Sequence, residues 1–180
     1  MTEFTLYTAD NAPEAAKPLL ANSVAAFGML PNLHAVMAEA PTLLEGYQVL
    51  HELFQQTSFN AEELTVVWQS INVEHNCHYC VPAHSGIAEA MKVDQSIVDA
   101  LVNKTVLANP KLETLRETTL AMVRERGVIS DTQIETFFAA GYGKQQLLEI
   151  ILGLSQKVMS NYTNHLANTP VDNAFKKYVK

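Results

Sequence analysis

Apolar residues recur every three to four positions along almost the whole chain, and the breaks fall where helices ordinarily start and stop. Asp10 and Asn11 precede Pro13, apolar positions run from Ala16 to Phe27, and Gly28 ends the run. Pro31 opens a short helix through Ala38. Pro41 opens another that sets Leu43, Leu44, Tyr47, Leu50 and Phe54 on one face. Asn60 caps the next, with Leu64, Val67, Trp68 and Ile71 as its stripe, and a turn over Glu74 to Asn76 follows. Pro82 is tolerated only near a helix start, so a helix begins within about a turn of it and runs to Met91. Asp94 starts a short helix through Val102, and the stretch from Asn103 to Lys111, with its Asn109-Pro110 step, reads as a loop. Leu112 to Arg126 forms a long helix ended by Gly127, and Ser130 and Asp131 cap another to Ala140. Gly141-Tyr142-Gly143 separates that one from the most apolar helix, Lys144 to Tyr162, and Thr169-Pro170 starts a last helix. No alternating run is long enough for a strand. The continuous apolar runs Leu64 to Trp68 and Leu147 to Leu154 are buried helix, because their flanks keep the helical period. The pattern predicts an all-α, single-domain bundle over residues 1–180.

Composition narrows the function classes. With 180 residues and 48% hydrophobic positions the chain can build a sizeable core. A net charge of -7 without a basic stripe excludes nucleic acid and anionic membranes as natural partners. The opening MTEFTLYTAD lacks the basic start and apolar run of a signal peptide, and no stretch reaches the roughly 18–20 apolar residues of a membrane span. The expectation is a cytoplasmic protein. In a reducing compartment two cysteines three residues apart serve redox chemistry or metal binding more often than they staple a fold.

The chemistry concentrates in Glu74-His75-Asn76-Cys77-His78-Tyr79-Cys80-Val81-Pro82-Ala83-His84. Cys80 and His84 are four apart and so share a helix face, with Cys77 on the same side. The pair sits at a helix N-terminus, where free backbone N–H groups favour an anion. A thiol with a pKa of about 8.5 is roughly 3% ionised at pH 7, and lowering it by about two units corresponds to about 2.7 kcal/mol. An imidazolium and a helix terminus together can supply that. Cys77 and Cys80 can also close into a disulfide. On this reading His84, assisted by Glu74, takes a proton from a cysteine. Adjacency to His84 favours Cys80 as attacker, while access to an outside reductant suits Cys77, so the order stays open. A rival reading is a zinc-binding or redox-inert oligomeric scaffold, in which both thiolates, His84 and one of His75, His78 or His165 make a Cys₂His₂ set.

The segment C-H-Y-C-V-P-A-H resembles the C-x-x-C-x-x-x-H signature of the alkylhydroperoxidase D-like branch of the carboxymuconolactone decarboxylase family. Gly28-Met29-Leu30-Pro31-Asn32-Leu33 and Met37-Ala38-Glu39-Ala40-Pro41 are similar to that family's N-terminal helices. Ala140-Gly141-Tyr142 and Asn161-Tyr162-Thr163-Asn164-His165 are similar to its C-terminal part. The resemblance covers nearly the whole chain. It implies an all-α fold assembled as a homo-trimer or homo-hexamer and a peroxidase or disulfide-reductase activity in antioxidant defence, with no haem, flavin or other cofactor. Electrons come, by the same implication, from a dithiol such as a lipoyl group or a thioredoxin-like protein to a hydroperoxide substrate. The peroxidase members carry a glutamate twelve residues before the first cysteine, which is Thr65 here; Glu63 lies two residues away, on roughly the opposite helix face. Glu74 matches the E-x-x-C of other branches, and Tyr79 stands where some members have histidine.

Overall fold

A computed structural model describes residues 3–179. These form nine α-helices: α1 (Lys17–Phe27), α2 (Asn32–Met37), α3 (Pro41–Gln55), α4 (Ala61–Glu74), α5 (Cys80–Ala90), α6 (Gln95–Val102), α7 (Pro110–Arg124), α8 (Asp131–Ala139) and α9 (Lys144–Ala167). Short 3-10 turns, Glu14–Ala16 and Asn173–Tyr178, stand before α1 and near the C-terminus. No strand occurs among the described residues, so the expected all-α fold is observed.

The helix boundaries follow the capping chemistry. Asn60 accepts from the Glu63 amide while the Glu63 carboxylate accepts from the Asn60 amide, a reciprocal pair that opens α4. Asn109 accepts from the Lys111 amide, and Pro110 takes the first helical position. That cap starts α7 two residues before the expected Leu112. Gly28 closes α1 in the left-handed region at φ 69°, as its position after Phe27 suggested. Two expectations fail at the C-terminal end. Helix α9 continues past Tyr162 to Ala167 and ends at Asn168, φ 46°. Thr169-Pro170 does not start an α-helix: the chain there has no regular structure, the Pro170 carbonyl accepts from the Asn32 side chain, and only a 3-10 turn follows.

Helix α4 is the axis of the molecule and is buried from Glu63 to Asn72. It packs on α5, α6, α7 and α9, while α3 lies along α9. One core, on the α4–α7–α8 side, is apolar: Leu64, Val67, Trp68, Ile71, Leu115, Met122, Phe137 and Ile150 belong to it. A second gathers Leu20, Leu33, Met37, Leu44, Tyr47 and Tyr79 around Cys77 and Cys80. Two glycines permit close packing here. A Cβ at Gly153 of α9 would come within 2.7 Å of the Phe54 ring of α3, and one at Gly86 of α5 within 2.9 Å of the Phe175 ring. The residues after α9 therefore lie directly on the cysteine-bearing helix, as a strap.

Candidate active site

The segment between α4 and α5 wraps its backbone around one sulfur. Asn76 turns the chain at φ 52°, the Cys77 amide donates to the Asn72 carbonyl at 3.0 Å, and the Cys80 amide donates to the Cys77 sulfur at 3.3 Å. Cys80 is the first residue of α5, so the pair stands at the helix N-terminus predicted from the sequence. Both thiols are free and fully enclosed, 0% and 1% exposed.

The other half of the site comes from α9. Its buried stripe runs Ile150, Gly153, Gln156, Lys157, Ser160, Asn161, Asn164, changing from apolar to polar half-way along. Lys157 is 0% exposed, hydrogen-bonds to Cys80, and lies 2.8 Å from Nε2 of the buried His84. Asn164 Nδ2 donates to the Cys80 sulfur at 3.2 Å, and Ser160 and Asn161 also hydrogen-bond to that sulfur. Asn161 is itself oriented by His75 Nδ1 at 2.8 Å and by Asn72 at 3.0 Å. Tyr47 of α3 hydrogen-bonds to Gln156 and Ser160. Trp68 Nε1 donates to Gln156 at 2.8 Å, and the Trp68 ring lies 4.9 Å from that of His84.

These contacts divide one charge pair between neighbours. Burial opposes ionisation of Cys80, but the Cys77 thiol, the Lys157 ammonium, Ser160 and Asn161 outweigh it and lower its pKa below the ordinary thiol value. Cys77 moves the opposite way, raised first by the hydrogen bond it gives Cys80 and then by burial. Burial also lowers the pKa of Lys157, and the two sulfurs pull it back up. His84 is held neutral, by burial and then by Lys157. The neutral imidazole therefore accepts a hydrogen bond from Lys157 at Nε2, and its Nδ1 has no hydrogen-bond partner.

The structure brings Cys77, Cys80 and His84 together, with Lys157 between His84 and the sulfur. It sends Glu74 elsewhere: both carboxylate oxygens pair with Arg124 of α7 at 2.8 Å, at the surface. Glu63 is used in the α4 cap, and Thr65 donates back to the Ala61 carbonyl, so neither stands in the proton path. Tyr79 donates to Asp172 of the strap. The rival zinc set does not assemble, since His75 faces Asn161, His78 faces the Thr169 carbonyl and the His84 nitrogen faces an ammonium. Among the described residues no group of three or more His, Cys, Asp or Glu is placed to hold a metal.

The sequence matches no family model and none of the curated proteins. The backbone does match solved structures. The debrominase Bmp8 superposes with a TM-score of 0.82 at 17% identity, covering 99% of this chain and 97% of its own. An alkylhydroperoxidase AhpD-core, peroxidase-related protein from Ralstonia eutropha superposes at 0.81 with 14% identity, covering 97% and 96%. A peroxidase-related protein from Silicibacter sp. gives 0.80 at 15%, covering 97% and 95%. The chain has the alkylhydroperoxidase D-like fold. The resemblance of the motifs and the superposition of the backbone thus agree along nearly the full length. In this alkylhydroperoxidase D-like bundle no described helix is long and apolar enough to cross a membrane. Sequence reasoning missed Lys157 and Ser160 and gave Asn164 no role. The signal was available: Lys157 lies seven residues after Ile150, on the same face of a helix whose flanks are apolar.

Proposed function

We propose that the chain, as one domain, is a thiol-dependent peroxidase that recycles through a Cys77–Cys80 disulfide and a dithiol reductant. The observation that carries this reading is the buried Lys157 side chain, its Nζ held between the Cys80 sulfur and the His84 imidazole; the sulfur favours its charged form. A thiolate beside a cation with no competing carboxylate is a nucleophile at neutral pH. The Cys80 thiolate attacks the distal oxygen of a hydroperoxide, the O–O bond breaks, and Lys157 protonates the departing alkoxide, giving Cys80 sulfenic acid and an alcohol. Lys157, now neutral, takes the proton of Cys77, and the new thiolate displaces hydroxide from the sulfenic acid. The disulfide forms, and the hydroxide leaves as water with that proton. A dithiol then reduces the disulfide and returns one proton to Cys77 and one to Lys157. His84 acts on Lys157, not on the sulfur: its neutral Nε2 fixes the direction of the ammonium. The helper role expected for Glu74 falls to Lys157. The implied setting is a cytoplasmic homo-trimer or homo-hexamer working without haem, flavin or metal.

The test is hydroperoxide consumption with dihydrolipoamide and with thioredoxin as donors. Turnover with either donor, lost in Cys80→Ser and stalled at the sulfenic acid in Cys77→Ser, supports the reading. No turnover with any peroxide by a protein whose two thiols titrate freely refutes it. Including 2,3,4-tribromopyrrole, the ligand carried by a variant of Bmp8, checks whether the same thiol pair prefers a carbon–bromine bond.

A further inference from the structure

The site has no opening. Cys77, Cys80 and Lys157 are sealed, so a reagent must pass one of the walls. The wall on the strap side is pinned. Tyr79 donates to Asp172 at 2.5 Å, Asp172 accepts from the Asn32 amide at 3.1 Å, and His78 pairs with the Thr169 carbonyl at 2.9 Å. The wall on the α3 side is formed by Tyr47, with Ser160 between it and the Cys80 sulfur. Behind it lies a cavity of about 520 Å³ between α1 and α3, within the size range of small-molecule sites. Its lining includes Phe27, His34, Tyr47 and His51. Tyr47, itself buried, hydrogen-bonds to Ser160, and Ser160 hydrogen-bonds to the Cys80 sulfur.

We propose that this cavity is the entrance and recognition site for the electrophile, with Tyr47 as its gate, and that it selects neutral organic hydroperoxides carrying an aromatic or branched apolar group over anionic ones. This rests on the peroxide reading above and deepens it. The selectivity follows from the lining. Four rings offer flat apolar surface for stacking. Neither imidazole supplies a positive charge: burial lowers His34 to about 3, and burial first, then the neighbouring Lys157, lowers His51 to about 4. His34 is further tied to Ser23, which also accepts from Gln48. The ionised groups of the lining are the carboxylates of Glu45 and Glu52, both exposed, and these repel an anion at the mouth.

The experiment needs no peroxide, so it can fail or succeed independently of the peroxidase reading. Fully reduced protein is mixed with 2,2′-dithiodipyridine, a neutral aromatic disulfide, or with 5,5′-dithiobis(2-nitrobenzoate), a dianionic one, and the released thione or thiolate is followed. Each rate is divided by that of a free cysteine peptide. The normalised rate for the neutral reagent exceeds that for the dianion by about tenfold or more. Ala26→Trp, an exposed lining position on α1 whose larger ring fills the cavity, slows the neutral reagent by about tenfold but the small reagent iodoacetamide by under twofold. Cumyl alcohol, the product of such a hydroperoxide, competes with the neutral reagent in the parent protein. Glu45→Gln combined with Glu52→Gln narrows the gap between the two disulfides several-fold. Equal normalised rates for the two disulfides, or an Ala26→Trp protein of native circular dichroism that reacts as fast as the parent, overturn the proposal. So does failure of cumyl alcohol to compete.

Discussion

Along α4, Leu64, Val67 and Ile71 join Leu115, Phe137 and Ile150 in a core with few polar atoms, whereas Gln69 and Asn72, on the same helix, join a hydrogen-bonded network with Asn161 and Ser85. Helix α9 repeats the division, with Ile150 and Gly153 in its first half and Lys157, Asn161 and Asn164 in its second. Both regions are equally dry. They differ in what burial does. In the apolar region it supplies stability in proportion to area. In the polar region every amide and charge must find a partner to offset its lost hydration, so burial there fixes orientation and protonation instead. The thiol site is thus built in the half of the bundle that contributes less to stability, supported by the half that contributes more.

That contrast breaks most visibly at the apolar end. Phe137→Ala should lower stability by about 3–5 kcal/mol in urea unfolding, because Phe137 is fully buried and its removal leaves a cavity. The alkylation pH profile of the surviving folded protein should not move. Lys157→Met is the mirror case. It removes the cation that favours the thiolate, so alkylation of Cys80 at pH 7 should fall by roughly thirty- to a hundredfold, about 2–2.7 kcal/mol on the rate scale. Stability should hold or rise, since a buried ammonium is replaced by an apolar chain of similar length and the thiol can simply keep its proton. A variant that loses both stability and reactivity would place Lys157 among the structural groups.

Acid acts on the polar half next. His34 and His51 are lowered to about 3 and about 4 when folded, while an unfolded imidazole binds its proton near 6.5. Their contribution to stability is complete above that value. It is lost as the pH falls below about 6.5, because the unfolded chain takes up protons that the folded one refuses. By pH 5 the loss should be about 1–2 kcal/mol per histidine, and His34→Asn should flatten the profile by about one such step. The smallest effect belongs to Glu74→Gln. Its ion pair with Arg124 is half in solvent, so stability should change by under about 1 kcal/mol and the thiol pH profile should stay where it is. A shift of that profile would return Glu74 to the proton path.

The helices and the cysteine pair were legible because their determinants are local. Caps such as Asn60 and Ser130 act within four residues, and Cys77 and Cys80 are set by a single turn. Lys157 was not legible for the opposite reason. It lies about eighty positions from the thiols in sequence, in a helix that reads as the most apolar of the chain. Glu74 misled in the complementary way, being near Cys77 along the chain but directed at α7 in space. The C-terminal strap was mistaken for a helix because Thr169-Pro170 looks like a helix opener; the carbonyls of these two residues instead face His78 and the Asn32 side chain, and Asp172 beyond them is claimed by Asn32 and Tyr79.

Gly153 acts as the notch of a keyway. The Phe54 ring occupies the space of its missing side chain and, with Val67, fixes both the rotation and the axial position of α9. Lys157 follows four residues later, about 6 Å along the axis and only about 40° around it. The charge beside Cys80 is therefore indexed from the middle of the helix, not from its ends. Residues can be added or lost beyond either terminus of α9 without moving the ammonium. A single residue inserted between 153 and 157 would swing it by about 100° and out of register with the sulfur.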